Sequence, residues 1–230
     1  AFSLRRVLRR LAKSAQGAGM GTSPDYGFEE KALQQGYLRI VGIDEAGRGA
    51  LCGPVVAAAV WLDPERIPAG LNDSKALTAR QRSLLFDRIV AVADVGVGTA
   101  DVDEIEALNI LRASHLAMIR AIESLRYRPD FALVDGHLLP RRLPVRGEAV
   151  VKGDARVLSI AAASVVAKVA RDRSMVDLAQ QFPGYGWERN MGYPTTDHRA
   201  ALQILGATPH HRRSFGPVHN ILYQEKTLSR

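Results

Sequence analysis

The sequence predicts an α/β fold built on a mixed sheet, and three observations carry that expectation. Apolar runs come consecutively early in the chain and later alternate with helical patterns, which suggests an antiparallel meander followed by parallel crossovers. Three of the runs end on acids: Ile40-Val41-Gly42-Ile43 on Asp44-Glu45, Phe131-Ala132-Leu133-Val134 on Asp135, and Ala149-Val150-Val151-Lys152-Gly153 on Asp154. Short apolar runs bounded by turn-formers read as buried strands. The composition, 47% hydrophobic and 24% charged over 230 residues, is that of an ordinary globular chain.

Residues 1–22 read as a separable, basic, disordered extension. Arg5, Arg6, Arg9, Arg10 and Lys13 meet no acid before residue 21, and Gly17, Gly19 and Gly21 break a weak helical spacing of Leu4, Val7, Leu8 and Leu11. An organellar transit peptide or a membrane-surface helix is the alternative. Those five cations leave only +2 of the net +7 for the rest of the chain, so any basic surface there is local. The chain does not begin with Met, and Met20 is the first methionine, so residue 1 is not expected to be a native start.

Residues 23–230 read as one domain with a helical C-terminal part. Strands are expected at 40–43, 55–62 and 95–99. Thr78 caps a helix with Leu84, Leu85, Ile89 and Val92 on one face. A helix over 101–125 breaks near Asn109 and turns Ile105, Leu108, Leu111, Leu116, Ile119 and Ile122 inward. After the strands ending at Asp135 and before Asp154, a long helix rich in small residues runs over 155–179. A Gly- and aromatic-rich loop covers 182–193, and a short helix capped by Thr195 or Thr196 runs to 205. No apolar stretch approaches the ~20 residues that span a bilayer. Cys52 is the single cysteine, which favours a reducing, cytoplasmic setting, and no apolar stripe suggests more than a monomer.

Taken singly, each strand-end acid reads as a turn or cap residue. Together they suggest a shared site, because open sheets bind ligands at the carboxyl ends of parallel strands. Clustered carboxylates repel one another and call for cations. Neighbours on a strand face opposite ways, so Asp44 and Glu45 share a site only if the strand bends there. Gly47 and Gly49 permit that bend, and Arg48 with the exposed backbone N–H groups offers a phosphate contact. Asp154 can cap the long helix, bind metal, or both. Lys152 reads as a phosphate contact or a solvated lysine, and Asn72-Asp73-Ser74-Lys75 alone reads as a turn.

The combination resembles the bacterial ribonuclease HII family. It comprises 42–49, Gly53-Pro54 with the apolar run behind it, Asn72-Asp73-Ser74-Lys75-Ala76-Leu77, Val134-Asp135-Gly136 and Lys152-Gly153-Asp154. Further on it includes Ile160-Ala161-Ala162-Ala163-Ser164, Ala167-Lys168-Val169 with Arg171-Asp172, Gly192-Tyr193-Pro194-Thr195 and His210-His211-Arg212-Arg213-Ser214-Phe215. The resemblance implies a ribonuclease H-like mixed five-stranded sheet flanked by helices. It implies endonucleolytic cleavage of RNA in RNA–DNA hybrids and at single ribonucleotides in duplex DNA, as in ribonucleotide excision repair and DNA replication. It places the metal-binding, catalytic acids on Asp44, Glu45, Asp135 and Asp154. Two divalent ions, Mn²⁺ or Mg²⁺, would activate water and stabilise the leaving 3′-oxygen, giving 5′-phosphate and 3′-hydroxyl ends. The substrate-binding residues implied are Gly47, Arg48 and Gly49 at the ribose 2′-hydroxyl, Tyr193 on the neighbouring deoxyribose, and Lys75 on a phosphate. Asn190-Met191 departs from the His-Lys common in the family, and Ala50 and Cys52 replace frequent Pro and Ala. Cys52 is expected to be a small buried residue with no catalytic part.

Overall fold

The computed structural model describes residues 23–224. The basic extension read at 1–22 lies outside the described residues.

Five strands form one sheet in the order β3-β2-β1-β4-β5. Strands β1 (Ile40–Ala46), β2 (Val55–Trp61) and β3 (Asp94–Ala100) are antiparallel neighbours. Strands β4 (Phe131–Asp135) and β5 (Arg146–Val150) run parallel to β1. The meander followed by crossovers is therefore present as the sequence predicts.

Alternation along the strands builds two apolar layers. Val55, Ala57 and Ala59 join Val41 and Ile43 beneath helix α4 (Ile110–Glu123). Ala58 and Val60 face α2 (Ala79–Val92) and α5 (Leu158–Gln181) on the other side. Helix α5 lies directly on β1, because a Cβ at Gly42 would sit 2.1 Å from the Ser159 carbonyl carbon. Its alanines Ala161, Ala162, Ala163 and Ala167 are fully buried.

The helix boundaries follow local chemistry. Thr78 and Gln81 form a capping box at the start of α2. Asn109, at φ 67°, separates α3 (Val102–Leu108) from α4 and accepts from the Leu111 and Arg112 N–H groups. Thr195 caps α7 (Thr196–Leu205) by accepting from His198 N–H. Helix α1 (Gly27–Gln34), which the sequence reading lacked, packs Ala32 and Leu33 against Ile40, Phe131 and Ile160. A C-terminal layer gathers Trp187 of α6 (Trp187–Asn190), Leu202 of α7 and Val218 of α8 (Gly216–Gln224) around Leu51, Cys52 and Met175. No helix among the described residues is long and apolar enough to cross a membrane.

Five expectations need correction. Strand β5 begins at Arg146 and ends at Val150, so the third acid-tipped run is only partly strand. It is an edge strand buried mainly at its final residue, so its polar outer positions hide it from an apolar search. Helix α5 starts at Leu158, after a turn through Lys152 (φ 55°) and one turn of 3₁₀ helix, Gly153–Ala155. The 182–193 loop contains α6. The inward face of α4 is Ala113, Ala117, Met118, Ala121 and Ile122, whereas Leu111 and Ile119 are half-buried and line a surface groove with Leu108. A Cβ at Gly98 or Gly96 would meet the Ala117 or Ala121 carbonyl at 2.2 or 2.0 Å, so α4 touches β3 too closely for leucines. Leu84 of α2 likewise faces solvent at 51% exposure.

Candidate active site

The ends of β1 and β4 and the turn after β5 converge on one cleft. Asp44, Asp135 and Asp154 each offer a carboxylate oxygen within 4.8 Å of the others. Asp44 is the fifth residue of β1, Asp135 the last of β4, and Asp154 sits in the 3₁₀ turn. Gly153 N–H donates to Asp135 Oδ1 at 2.7 Å, which ties the turn to the strand end. A Cβ at Gly153 would collide with Ile160 Cδ1 at 2.6 Å, so the turn seats flush on α5.

Glu45 lines the same cleft, and its Oε1 accepts from Arg48 Nη1 at 3.1 Å. The predicted bend falls later than expected. Strand β1 stays paired with β2 through Ala46, and the chain turns at Gly47, φ 96°. Both acids reach the cleft because the parallel ladder to β4 stops at Ile43 and Val134, leaving β1 open on that side.

Charge repulsion is visible in the acids. Burial, then the charges of Glu45, Asp135 and Asp154, pushes the Asp44 carboxyl well above its usual range, against one N–H bond from Glu45 at 2.7 Å. Burial raises Glu45 as well, opposed by Arg48. Burial and Asp154 raise Asp135. Such an all-oxygen, mutually repelling set fits hard divalent cations. Exposed Lys75 places Nζ 3.0 Å from Asp154 Oδ2. Partial burial alone would lower its pKa, but its bond and charge pairing with Asp154 carry it above the usual lysine value.

The remaining predicted residues rim the cleft. Arg48 and Gly49 are exposed, and Tyr193 stands across from them, its Cε1 3.9 Å from where a Gly49 Cβ would be. Asn190 pins the loop before Tyr193, donating to Tyr185 O at 2.8 Å and accepting from Gly192 N–H at 2.8 Å. Lys152, exposed and in a left-handed backbone conformation, is not among the cleft-lining residues. Cys52 is buried, and burial pushes its thiol up to about 12.

Two cleft residues, Ser164 and Lys168, and the buried Arg171 behind them had no role assigned from sequence. Ser164 donates to Ser74 Oγ at 2.7 Å beneath the 72–75 loop, which the sequence alone left as a turn. Lys168 and Arg171 lie 5.6 and 5.4 Å from the Tyr193 ring centre. Their spacing, i, i+4 and i+7 on one helix, was the available signal. His198 and His211 lie near Cys52, but their ring nitrogens are committed to hydrogen bonds. His198 Nε2 accepts from Trp187 Nε1 at 3.0 Å and faces His211 Nε2, while His211 Nδ1 accepts from Thr208 N–H at 3.0 Å. That cluster is a packed hydrogen-bond chain rather than a metal centre.

The ribonuclease HII family model matches residues 41–218. A protein of Ruegeria pomeroyi named ribonuclease HII is 62% identical over 223 residues, 97% of this chain and 95% of its own length. One of Paracoccus denitrificans with the same name is 63% identical over 207 residues, 90% of this chain and 99% of its own. The crystal structure of ribonuclease H2 from Pyrococcus horikoshii superposes with a TM-score of 0.68 at 28% identity, covering 84% of this chain and 100% of that one.

Proposed function

The chain belongs to the ribonuclease HII family of nucleases, which act on RNA–DNA hybrids, and on that premise we propose that it incises duplex DNA at single embedded ribonucleotides. The observation that supports this reading is one cleft holding the carboxylate cluster beside Arg48, Gly49 and Tyr193. The acids would act on the phosphate, and the rim would recognise the sugar next to it.

Mn²⁺ or Mg²⁺, two ions on this reading, would be held by Asp44, Glu45, Asp135 and Asp154 and would supply the Lewis acidity for water activation and leaving-group stabilisation. The chain's own groups bind and orient. Arg48 adds positive charge at the rim while bonded to Glu45. Exposed Lys75 reaches the same cleft from the 3₁₀ turn Ser74–Ala76, where a substrate phosphate can exchange with Asp154 as its partner. Tyr193 offers a flat face, backed by Arg171 and Lys168, on which a deoxyribose can pack. Water attacks phosphorus in line, the P–O3′ bond breaks, and the ends are 5′-phosphate and 3′-hydroxyl. Residues 23–230 act as one catalytic domain, monomeric and cytoplasmic, removing ribonucleotides in repair and replication.

Asp154→Asn tests the assignment. It is expected to keep its melting temperature and lose cleavage by about 10³-fold or more, since several kcal/mol of charge stabilisation go with the carboxylate. Wild-type cutting by that variant, with Mn²⁺ or Mg²⁺ supplied, would refute it.

A further inference from the structure

Two guanidiniums, those of Arg171 and Arg212, are fully buried, and neither has an ion-pair partner among the described residues. A buried charge without a counter-ion is costly unless its donors are met by hydrogen bonds. Arg212 meets that need on one loop, the connection between β1 and β2. Its Nη2 donates to Gly47 O at 2.8 Å and Gly53 O at 2.9 Å, its Nη1 to Arg48 O at 2.9 Å, and its Nε to Gly53 O at 3.1 Å. Its own N–H donates to Leu51 O at 2.8 Å, so the 210–212 segment lies along that loop. Arg171 holds the far side through Pro54, Cys52 and Met191 carbonyls at 3.1, 3.2 and 2.8 Å.

The consequence lies in peptide geometry. In a trans peptide the C=O and the following N–H point in opposite directions. Drawing the Gly47 and Arg48 carbonyls inward turns the Arg48 and Gly49 N–H groups outward. Neither of those N–H groups has an acceptor among the described residues, and Arg48 and Gly49 are exposed at the cleft.

We propose that Arg212 is a positioning residue for substrate discrimination, aiming the Arg48 and Gly49 N–H groups at the ribose beside the scissile phosphate. This rests on the function proposed above. Lysine keeps the charge but, as a point donor, cannot span three carbonyls as the planar fork does.

The test compares wild type with Arg212→Lys in two measurements. One is kcat/KM on a single-ribonucleotide duplex. The other is the binding ratio between that duplex and its all-DNA counterpart, with Ca²⁺ replacing the active metal so that nothing is cut. Arg212→Lys is expected to lose about tenfold or more in kcat/KM, with most of the loss in a raised KM, and to bring the binding ratio close to one. A purely structural role lowers the melting temperature and the active fraction but leaves the ratio unchanged, and that result would overturn the proposal. If Arg212→Lys does not fold, Phe215→Leu carries the test. It removes the ring 5.0 Å from the guanidinium, loosens Arg212 without deleting it, and should shift the ratio the same way. Wild type that shows no preference for the ribonucleotide duplex would instead refute the proposed function.

Discussion

Gly47 shows how closely single atoms are constrained at this site. Its φ of 96° is left-handed, and an added Cβ would lie 1.9 Å from Arg171 Nε, a guanidinium already fixed by three carbonyls. Gly47→Ala is expected to cost about 2–4 kcal/mol of stability and to depress cleavage more than tenfold. Gly49→Ala meets only Tyr193, at 3.9 Å, so its melting temperature should stay near wild type. Parallel melting curves and kcat/KM values for the two variants check this, and equal destabilisation would contradict it. The acids were legible in the sequence because strand ends advertise themselves. Arg171 and Arg212 were not, because an isolated arginine in a sequence gives no sign of burial.

At the scale of elements, the site depends on how α5 is seated. Its first turn is held by Glu29 of α1, whose Oε1 accepts from Ser159 N–H at 2.8 Å. Glu29 is fully buried, and burial pushes its carboxyl up to about 7. An acid whose folded pKa is raised stabilises the fold while protonated. That stability is present below the unfolded pKa and is lost as pH rises through the folded one. The window therefore runs from about 4.5 to about 7, and its upper bound is on the order of 3 kcal/mol. Glu29→Gln should flatten this part of the stability curve relative to wild type, as read by denaturant midpoints at pH 5 and pH 8. An identical pH slope in both proteins would contradict it. The comparison isolates Glu29 from the site acids, whose raised pKa values act in the same direction. Local signals such as the Thr78 cap and the helix break near Asn109 were readable in advance. Helix α1 and the true bounds of edge strand β5 were not, because each buries too few residues to leave a clear apolar pattern.

Across the whole molecule, distant segments meet at one short loop. Arg212 reaches Gly47 across 165 positions, and α5 supplies Arg171 from beneath. The meander followed by parallel crossovers and the trio of aspartates followed from strand patterns, whereas this long-range clamp had no local signature. Net charge is a poor guide here, since most of it sits in residues 1–22 and the cleft sets Arg48, Lys75 and Lys168 against its acids. On the proposed function, the cleft cuts a phosphodiester because it recognises the ribose beside it. The most direct measurement is cleavage of a DNA duplex carrying one ribonucleotide, with Mn²⁺ or Mg²⁺, and with the cut position and end chemistry mapped. A single incision at the ribonucleotide is expected, leaving a 5′-phosphate and a 3′-hydroxyl, with no cutting of the all-DNA duplex. Equal cutting of both duplexes, or no incision of either, would contradict it.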